Sequence, residues 1–216
     1  MPVHHRVAHA GIYGHRLIGL LVREFVKGCA RLAALFAVSP LLFSYWCWSL
    51  ALGRDRALEG SSQTLSLLPG LIGIYMRRAF LMQVLAGCHK SVTVEFGTLF
   101  SQTGARLDEN VYIGPRCQLG LVHIERDALL GPAVHVPSGA QTHGIDDPTK
   151  PIREQEHIRS QVRIGAGAWI GSAAVVMADV GSGSVVGAGA VVTKPLPERV
   201  IAAGVPARVI RPRVAE

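Results

Sequence analysis

Aliphatic residues recur every six positions along the C-terminal half of the chain. Between residues 164 and 193 the repeat is marked by Ile164, Ile170, Val176, Val186 and Val192. A period of six matches neither the 3.6-residue period of a helix nor the two-residue alternation of a plain strand. It is the length of one short strand plus a sharp corner, and stacked hexads of this kind are typical of a parallel β-helix. The pattern therefore predicts a mainly β fold built from coils.

The same spacing is present upstream, and its interruptions are as informative as the repeat. Hexads run over residues 92–136, with one residue missing between Leu119 and Ile124. Residues 143–161 contain no hexad. A segment that leaves a repeat and returns to it is a surface loop, and such loops tend to build the functional site. We therefore expect a loop insertion at about 143–161.

A second irregularity lies between Val176 and Val186, which are ten residues apart where two hexads need twelve. It predicts a shortened corner around residues 179–181. Together these boundaries divide the chain into an N-terminal region, residues 1–91, and a β-helix domain, residues 92–216.

The N-terminal region shows helical rather than hexad spacing, and residues 17–34 are predicted to form an amphipathic helix. Leu32 to Gly53 is a run of 22 residues without a charge, long enough to cross a bilayer. Pro40 near its middle and basic residues at both ends favour a helical hairpin or re-entrant element that dips into one leaflet. A full membrane span and a buried soluble helix are the alternatives.

Residues 61–91 form a second apolar and basic stretch. Residues 66–70 predict a turn, and residues 75–86 a helix with Arg77 and Arg78 on its polar face. We expect this helix either to lie on the membrane or to cover the open end of the β-helix, whose unpaired strand edges need a cap.

The net charge lies entirely in the N-terminal part. Residues 1–90 hold 10 Lys and Arg against 3 Asp and Glu, whereas the rest of the chain holds 12 of each class. A basic segment that is also strongly apolar favours an anionic membrane surface, contacted through residues 17–90, and no nucleic acid is expected as a partner. The four cysteines are widely spaced and match no metal-ligand spacing, which predicts reduced thiols in the cytosol.

Three segments of the β-helix domain resemble the closing coils of hexapeptide-repeat acetyltransferases. They are Trp169-Ile-Gly-Ser172, Val186-Gly-Ala-Gly-Ala-Val-Val-Thr-Lys194 and Ala202-Ala-Gly-Val-Pro-Ala-Arg208-Val-Ile-Arg211. The nearest branch is that of galactoside/maltose acetyltransferases and their relatives in exopolysaccharide biosynthesis, and the apolar N-terminal segment resembles the exopolysaccharide members. The resemblance implies a left-handed β-helix, a homotrimer, and acetyl-CoA as cosubstrate in clefts between subunits, with no metal.

Acetyl transfer from a thioester to a hydroxyl needs a base for the hydroxyl proton and a donor to the developing oxyanion. His143 stands where the hexads end and the loop begins, and it resembles the family's catalytic histidine. Because imidazole titrates near neutral pH, we expect His143 to be the general base. The proline that commonly follows this histidine in soluble sugar acetyltransferases is Gly144 here, which argues against assuming a galactoside acceptor. His157 is expected to be an ordinary loop histidine held by the backbone.

The resemblance also implies a coenzyme groove. Ser172 and Ala188 match positions that contact the pantetheine arm, largely through backbone groups. Thr193 and Lys194 match the pair near the adenine. Arginine binds phosphate oxygens through its planar fork. The matches near the coenzyme's phosphates are Arg208 and Arg211.

Two further sets of residues complete the candidate site. Trp169 either lines the thioester end of the cleft or packs between subunits. Four loop carboxylates are candidates to orient His143 or to hold a sugar hydroxyl. They are Asp146, Asp147, Glu154 and Glu156.

The leading interpretation is an O-acetyltransferase that acts on a sugar hydroxyl of an exopolysaccharide or lipid-linked glycan precursor. Because acetyl-CoA is cytosolic, the catalytic domain is expected at the cytoplasmic face of the inner membrane. The alternatives are transfer to a small soluble acceptor, such as serine or a free sugar, and a non-catalytic β-helix scaffold. A metal enzyme on the same fold is disfavoured, because the histidines do not fall at matching positions of successive coils.

Overall fold

The computed structural model describes residues 7–213 of the chain. The first six and last three residues, which belong to the ends of the two predicted domains, lie outside the described residues. Three helices come first: α1 (Val7–Leu52), α2 (Arg54–Ser66) and α3 (Gly70–Val84). Short strands follow to the end of the described chain.

The strands stack into three parallel sheets, which we call faces A, B and C, so that the chain passes A, B and C once in each coil. Face A contains β1 (Gly87–Cys88), β4 (Arg106–Leu107), β7 (Val122–Ile124) and β10 (Val162–Ile164). Face B contains β2 (Thr93–Val94), β5 (Tyr112–Ile113), β8 (Leu129–Leu130), β11 (Trp169–Ile170), β13 (Val185–Val186), β15 (Val200–Ala203) and the antiparallel β16 (Arg208–Pro212). Face C contains β3 (Leu99–Phe100), β6 (Gln118–Leu119), β9 (His135–Val136), β12 (Val175–Val176) and β14 (Val191–Val192).

The hexad residues are the ones that point into the coil. Ile113, Leu130 and Ile170 are completely buried, whereas the preceding residues Tyr112 and Leu129 are 37% and 41% exposed. Successive side chains of a strand point to opposite faces, so a two-residue strand places one side chain inside and one outside. The predicted β-helix is thereby explained residue by residue.

Every irregularity in the spacing falls at one edge of the β-helix, the corner between faces C and A, which we call the CA edge. The other two corners keep six residues between inward positions throughout. The predicted short corner lies at the CA edge: Val180 is buried and bridges Ile164 in the coil before it and Leu196 in the coil after it. The long insertion between Val136 and Ile164 lies at the same edge.

Helices α2 and α3 cover the open end of the first coil. Backbone groups that a preceding coil would pair are bonded instead by helix side chains. Arg77 Nε donates to Val94 O at 2.9 Å, and Arg78 Nη1 donates to Val92 O at 3.1 Å. The backbone N–H of Phe100 donates to Ser62 Oγ at 2.9 Å. The cap thus satisfies a strand edge that would otherwise lie open.

The predicted placement of Arg77 and Arg78 on a polar helix face is wrong. Their exposed fractions are 2% and 9%. Besides its bond to Val94, the Arg77 guanidinium donates to Leu65 O and Leu68 O at 3.0 and 2.7 Å. Burial lowers the pKa of Arg77, although Glu95 opposes this shift. The guanidinium nevertheless remains charged, because arginine does not deprotonate in proteins.

The break predicted at Pro40 is also wrong, because α1 runs through it without interruption. A proline leaves the carbonyl four residues before it without its helical donor. Here that carbonyl belongs to Phe36, and the Ser39 hydroxyl donates to it at 2.8 Å. The chain reverses at Gly53 instead, where φ is +84°.

One stripe of α1 packs against α2 and α3, and the rest of the helix is apolar and exposed. Ala34, Val38 and Tyr45 are buried in the stripe. The exposed residues include five that are at least 70% accessible. They are Phe25, Leu32, Phe36, Phe43 and Leu50. The segment Glu24–Leu52 is long and apolar enough to cross a bilayer, with a mean hydropathy of 1.5, although length and composition alone support this.

Replacing Arg77 with alanine should destabilise the whole chain, because backbone carbonyls lose hydrogen bonds. The carbonyls of Val94 and Leu68 lose their donor, and the carbonyl of Leu65 loses one of its donors. We expect the free energy of unfolding to fall by about 3 kcal/mol or more, measured by urea denaturation. The exposed Arg106 on face A provides the matched control, Arg106→Ala, which should have little effect. Equal losses in the two variants would show that the cap bonds contribute nothing specific.

Candidate functional site

The insertion at the CA edge, residues 137–161, begins and ends as two antiparallel legs; we call it the inserted loop. The backbone N–H of Ile158 donates to Gln141 O at 3.2 Å, and that of Gly144 donates to Glu156 O at 2.9 Å. A short 3₁₀ turn, Ile152–Glu154, lies within its outer part. The hydrogen-bonded legs give His143 a defined position.

His143 is exposed at the end of the first leg, and its ring contacts that of His157 on the second leg. The ring centroids are 4.7 Å apart and the planes are nearly perpendicular, at 84°. His157 Nδ1 lies 3.0 Å from Thr142 O, so this nitrogen is the donor, because a carbonyl oxygen only accepts. The backbone bond therefore fixes the tautomer of His157, and the ring of His157 limits the movement of His143.

The ring pair is the part of the site that sequence reasoning missed. His157 holds the backbone bond expected of an ordinary loop histidine, but that bond also brings it against His143. A hairpin register for the inserted loop would have predicted the contact. Once residues 141 and 158 pair, 143 and 157 lie on facing legs.

Of the loop carboxylates, Asp147 stabilises the loop itself. Asp147 Oδ1 accepts hydrogen bonds from the Thr149 hydroxyl and backbone N–H at 2.6 and 3.0 Å, and Lys150 Nζ lies 3.2 Å from Oδ2. These contacts, the Thr149 hydroxyl foremost, hold the pKa of Asp147 below its usual value. In the part of the chain whose side chains are described, none of the four acidic candidates hydrogen-bonds to His143.

Ser172 and Ala188 lie one above the other at the corner between faces B and C, which we call the BC edge. A Cβ on Gly171 would stand only 2.4 Å from the backbone N of Ala188, so the coils approach closely there and glycine is required. The N–H of Gly189 donates to Ser172 O at 2.8 Å. Ser172 and Ala188 are both exposed, and their N–H groups donate to no group within residues 7–213. Trp169, on the outer surface of β11, is 52% exposed.

Thr193 and Lys194 lie at the CA edge, beside the inserted loop. A cavity of about 440 Å³ separates this corner from the loop. Thr193 lines one side of the cavity, and Gln141 and Ile158 from the two legs line the other. The structure thus brings the adenine-side pair close to the loop that carries His143.

Arg208 and Arg211 lie on β16, which folds back antiparallel to β15 and closes the last coil. Both side chains are exposed, and among the described residues they bond only to adjacent carbonyls, Arg208 to Ala207 O at 3.2 Å and Arg211 to Pro212 O at 3.3 Å. Most of each guanidinium therefore remains open to an anion.

The predicted site residues do not meet in one place within a single chain. His143, Thr193 and Lys194 share the CA edge, whereas Ser172 and Ala188 lie at the BC edge. Face C separates the two edges. A cleft between two chains side by side would bring both groups of residues together.

Cys88 and Cys117, the two cysteines in the β-helix domain and its entry, are poor nucleophiles. Burial raises the pKa of Cys88 to about 12 and that of Cys117 to about 11, so neither supplies a thiolate nucleophile near neutral pH. Among the side chains that the structure describes, no three His, Cys, Asp or Glu residues form a cluster suited to a metal ion.

No protein-family model matches the chain. A stretch of 73 residues is 44% identical to the probable acetyltransferase Rv3034c of Mycobacterium tuberculosis, covering 33% of this chain and 24% of that protein. Another of 52 residues is 54% identical to the galactoside O-acetyltransferase of Escherichia coli, covering 23% of this chain and 26% of that protein. The chain spans about a quarter of the length of these two curated relatives.

Two solved structures resemble the fold over most of the chain. A maltose O-acetyltransferase from Clostridium difficile 630 has a TM-score of 0.63 at 22% identity, covering 74% of this chain and 89% of that one. A galactoside acetyltransferase in complex with coenzyme A has a TM-score of 0.58 at 25% identity, covering 74% and 82%. The predicted parallel β-helix is confirmed, and the similarities support a relationship to the hexapeptide-repeat acetyltransferases.

Gly144 tests the geometry of the inserted loop. A Cβ there would stand 2.9 Å from Glu156 O and 3.0 Å from Gln155 Cβ, so Gly144→Ala should push the legs apart. We expect trypsin to cleave the loop after Arg153 several-fold faster, with little change in the thermal midpoint of the β-helix. Gly28→Ala, where nothing lies within 4 Å of the added Cβ, is the control. Unchanged cleavage in Gly144→Ala would show that the legs are not held as described.

Proposed function

We propose that the chain is an acyl-CoA-dependent O-acetyltransferase that transfers an acetyl group from acetyl-CoA to a sugar hydroxyl. The observation that carries the proposal is His143, exposed on a hydrogen-bonded loop at the CA edge and held against His157. The similarity to acetyltransferases, one of them in complex with coenzyme A, supports the same activity. The close approach of the coils at Gly171, beside the exposed Ser172 and Ala188, supports a groove for the thin pantetheine arm at the BC edge.

The reaction follows from these groups. His143 takes the proton of the acceptor hydroxyl as the oxygen attacks the thioester carbonyl. The tetrahedral intermediate collapses, the carbon–sulfur bond breaks, and the proton on His143 passes to the coenzyme's sulfur. The backbone N–H groups of Ser172 and Ala188 bind the pantetheine arm, and Thr193 and Lys194 contact the adenine. Arg208 and Arg211, with Trp169 at the thioester end, complete the proposed coenzyme groove.

The proposal includes a homotrimer in which each chain forms a left-handed β-helix. The separation of the CA and BC edges supports the oligomer, because the cleft between two neighbouring chains would place His143 of one beside Ser172 of the next. A closed ring of identical chains satisfies every such interface at once.

We further propose that the acceptor is an exopolysaccharide or lipid-linked glycan precursor and that the enzyme works at the cytoplasmic face of the inner membrane. The exposed apolar side of α1 supports this, because a surface of this size on a soluble chain marks contact with a membrane or partner. The basic N-terminal region would favour anionic lipids.

Replacing His143 with asparagine should remove the base and lower transfer by about two to four orders of magnitude. The measurement is acetyl-CoA-dependent acetylation of glycans in membranes of the source organism, followed by mass spectrometry for the gain of an acetyl group. His123→Asn is the control, because His123 pairs with Asp108 at 3.1 Å on face A, away from the CA edge. Turnover by His143→Asn equal to that of the wild type would refute the assignment.

Coenzyme A should raise the thermal midpoint of the folded chain, since a ligand that binds only the folded state stabilises it by about 2.7 kcal/mol at a hundredfold excess over its Kd. Arg208→Gln combined with Arg211→Gln should reduce the shift by removing the phosphate contacts. Pantetheine, which carries no phosphate group, is the matched ligand, and the thermal shift that it causes should not change in that variant. No shift at saturating coenzyme A would favour a non-catalytic scaffold.

A further inference from the structure

Three cavities lie in series between α1 and the base of the inserted loop. The first, of about 310 Å³, lies between α1 and α2. Leu41, Trp48 and Leu52 line it from α1, and small residues that include Gly60 line it from α2. Because the small residues leave space beside large apolar ones, the cavity suits a hydrocarbon chain.

The second cavity, of about 560 Å³, shares Leu52 and Arg56 with the first and gathers positive charge. Arg54 and Arg159 line it together with Arg56. Neither Arg56 nor Arg159 forms an ion pair or a hydrogen bond within the part of the chain whose side chains are described. Arg54 contacts Val84 O at 3.4 Å.

Two carboxylates also line the second cavity. Asp55 Oδ1 accepts hydrogen bonds from the hydroxyl and the backbone N–H of Thr103, at 2.7 and 2.8 Å, so this carboxylate joins α2 to the β-helix. Glu59 is the other. With three guanidinium groups against these two carboxylates, the cavity keeps an excess of positive charge.

The third cavity, of about 360 Å³, shares Glu59, Gln102 and Arg159 with the second and runs along face C. Its polar lining includes Gln118 and Thr142. Amide and hydroxyl groups can both donate and accept, which suits a ligand rich in hydroxyls. Thr142 belongs to the first leg of the inserted loop, so this cavity reaches the loop that carries the proposed general base.

The first lining is mostly apolar, the second is cationic, and the third is amide-rich. The first also includes hydroxyl groups from Ser44, Ser61 and Thr64. We propose that this track binds an acceptor sugar joined through phosphate to a lipid chain. The chain lies between α1 and α2, the phosphate oxygens contact Arg56 and Arg159, and the sugar lies on face C with one hydroxyl at His143. This inference rests on the proposed acetyl transfer and specifies its acceptor.

The alternative acceptors leave part of the track unused. A free sugar or serine would occupy only the third cavity. The arginine cluster and the space beside Gly60 would then have no ligand. The first cavity also adjoins the exposed apolar side of α1, so a lipid chain can reach it directly from a bilayer.

Vesicle binding tests the track. The full chain is mixed with phosphatidylcholine vesicles that contain a long-chain polyprenyl diphosphate, and bound protein is separated by flotation. Vesicles with the unphosphorylated polyprenol, and vesicles with phosphatidylglycerol at equal surface charge, are the comparison arms. We expect several-fold more binding with the diphosphate than in either arm. Equal binding in all arms overturns the proposal of a lipid-borne ligand.

Variants separate the parts of the track. Arg56→Gln combined with Arg159→Gln should abolish the preference for the diphosphate, whereas Arg106→Gln combined with Arg126→Gln, exposed elsewhere, should keep it. Gly60→Leu should also reduce binding by filling the first cavity, because nothing lies within 4 Å of its Cβ position and the helix tolerates leucine. A preference unchanged in both track variants overturns the assignment of these residues.

The same preparations distinguish failure of the track from failure of the enzyme proposal. Lipid binding requires no turnover, and the thermal shift with coenzyme A requires no acceptor. If the wild type and all variants show no preference for the diphosphate while coenzyme A still raises the thermal midpoint, the lipid track is overturned and the acetyltransferase proposal stands. Absence of the coenzyme A shift in the wild type would overturn the acetyltransferase itself.

Discussion

The structure depends on backbone hydrogen bonding between successive coils. Each coil pairs with the one before and the one after, so the two end coils have one unpaired edge each. At the first coil, Arg77 and Arg78 on α3 donate to two unpaired carbonyls, and Ser62 on α2 accepts from the N–H of Phe100. At the last coil, β16 turns back and pairs with β15. The helical region is therefore part of the fold, and it also places α1 and its apolar surface at one end of the β-helix.

The same pairing restricts where the chain can vary. Strands must stay in register on all three faces, so an insertion or deletion is tolerated only at a corner, and here every one falls at the CA edge. This edge carries the inserted loop with His143 and, two coils later, Thr193. The groups expected to bind the pantetheine arm lie instead at the BC edge, where Gly171 lets the coils approach closely. The division of these groups between two edges is the physical reason for proposing a shared cleft between chains.

Much of this arrangement could be predicted from the sequence, because hexads, the loop and the short corner are local periodic signals. The parts that were mispredicted depend on contacts between distant segments. The helical pattern places Arg77 on the polar side of its helix, but its side chain is buried against the end of the β-helix. The helix continues through Pro40 because the Ser39 hydroxyl bonds the freed carbonyl and the helix packs on α2 and α3. The contact between His143 and His157 depends on the register of the loop legs, which no periodicity records. The arginine cluster joins residues about a hundred positions apart, Arg56 and Arg159.

The most direct test of the central claim, that acyl transfer takes place along edges of the β-helix, is backbone hydrogen exchange with and without coenzyme A. Protection should increase at residues 171–173 and 187–189 on the BC edge and at residues 192–194 on the CA edge. The strands of face A should not change. Protection confined to face A, or absent from both edges under saturating coenzyme, would contradict the claim.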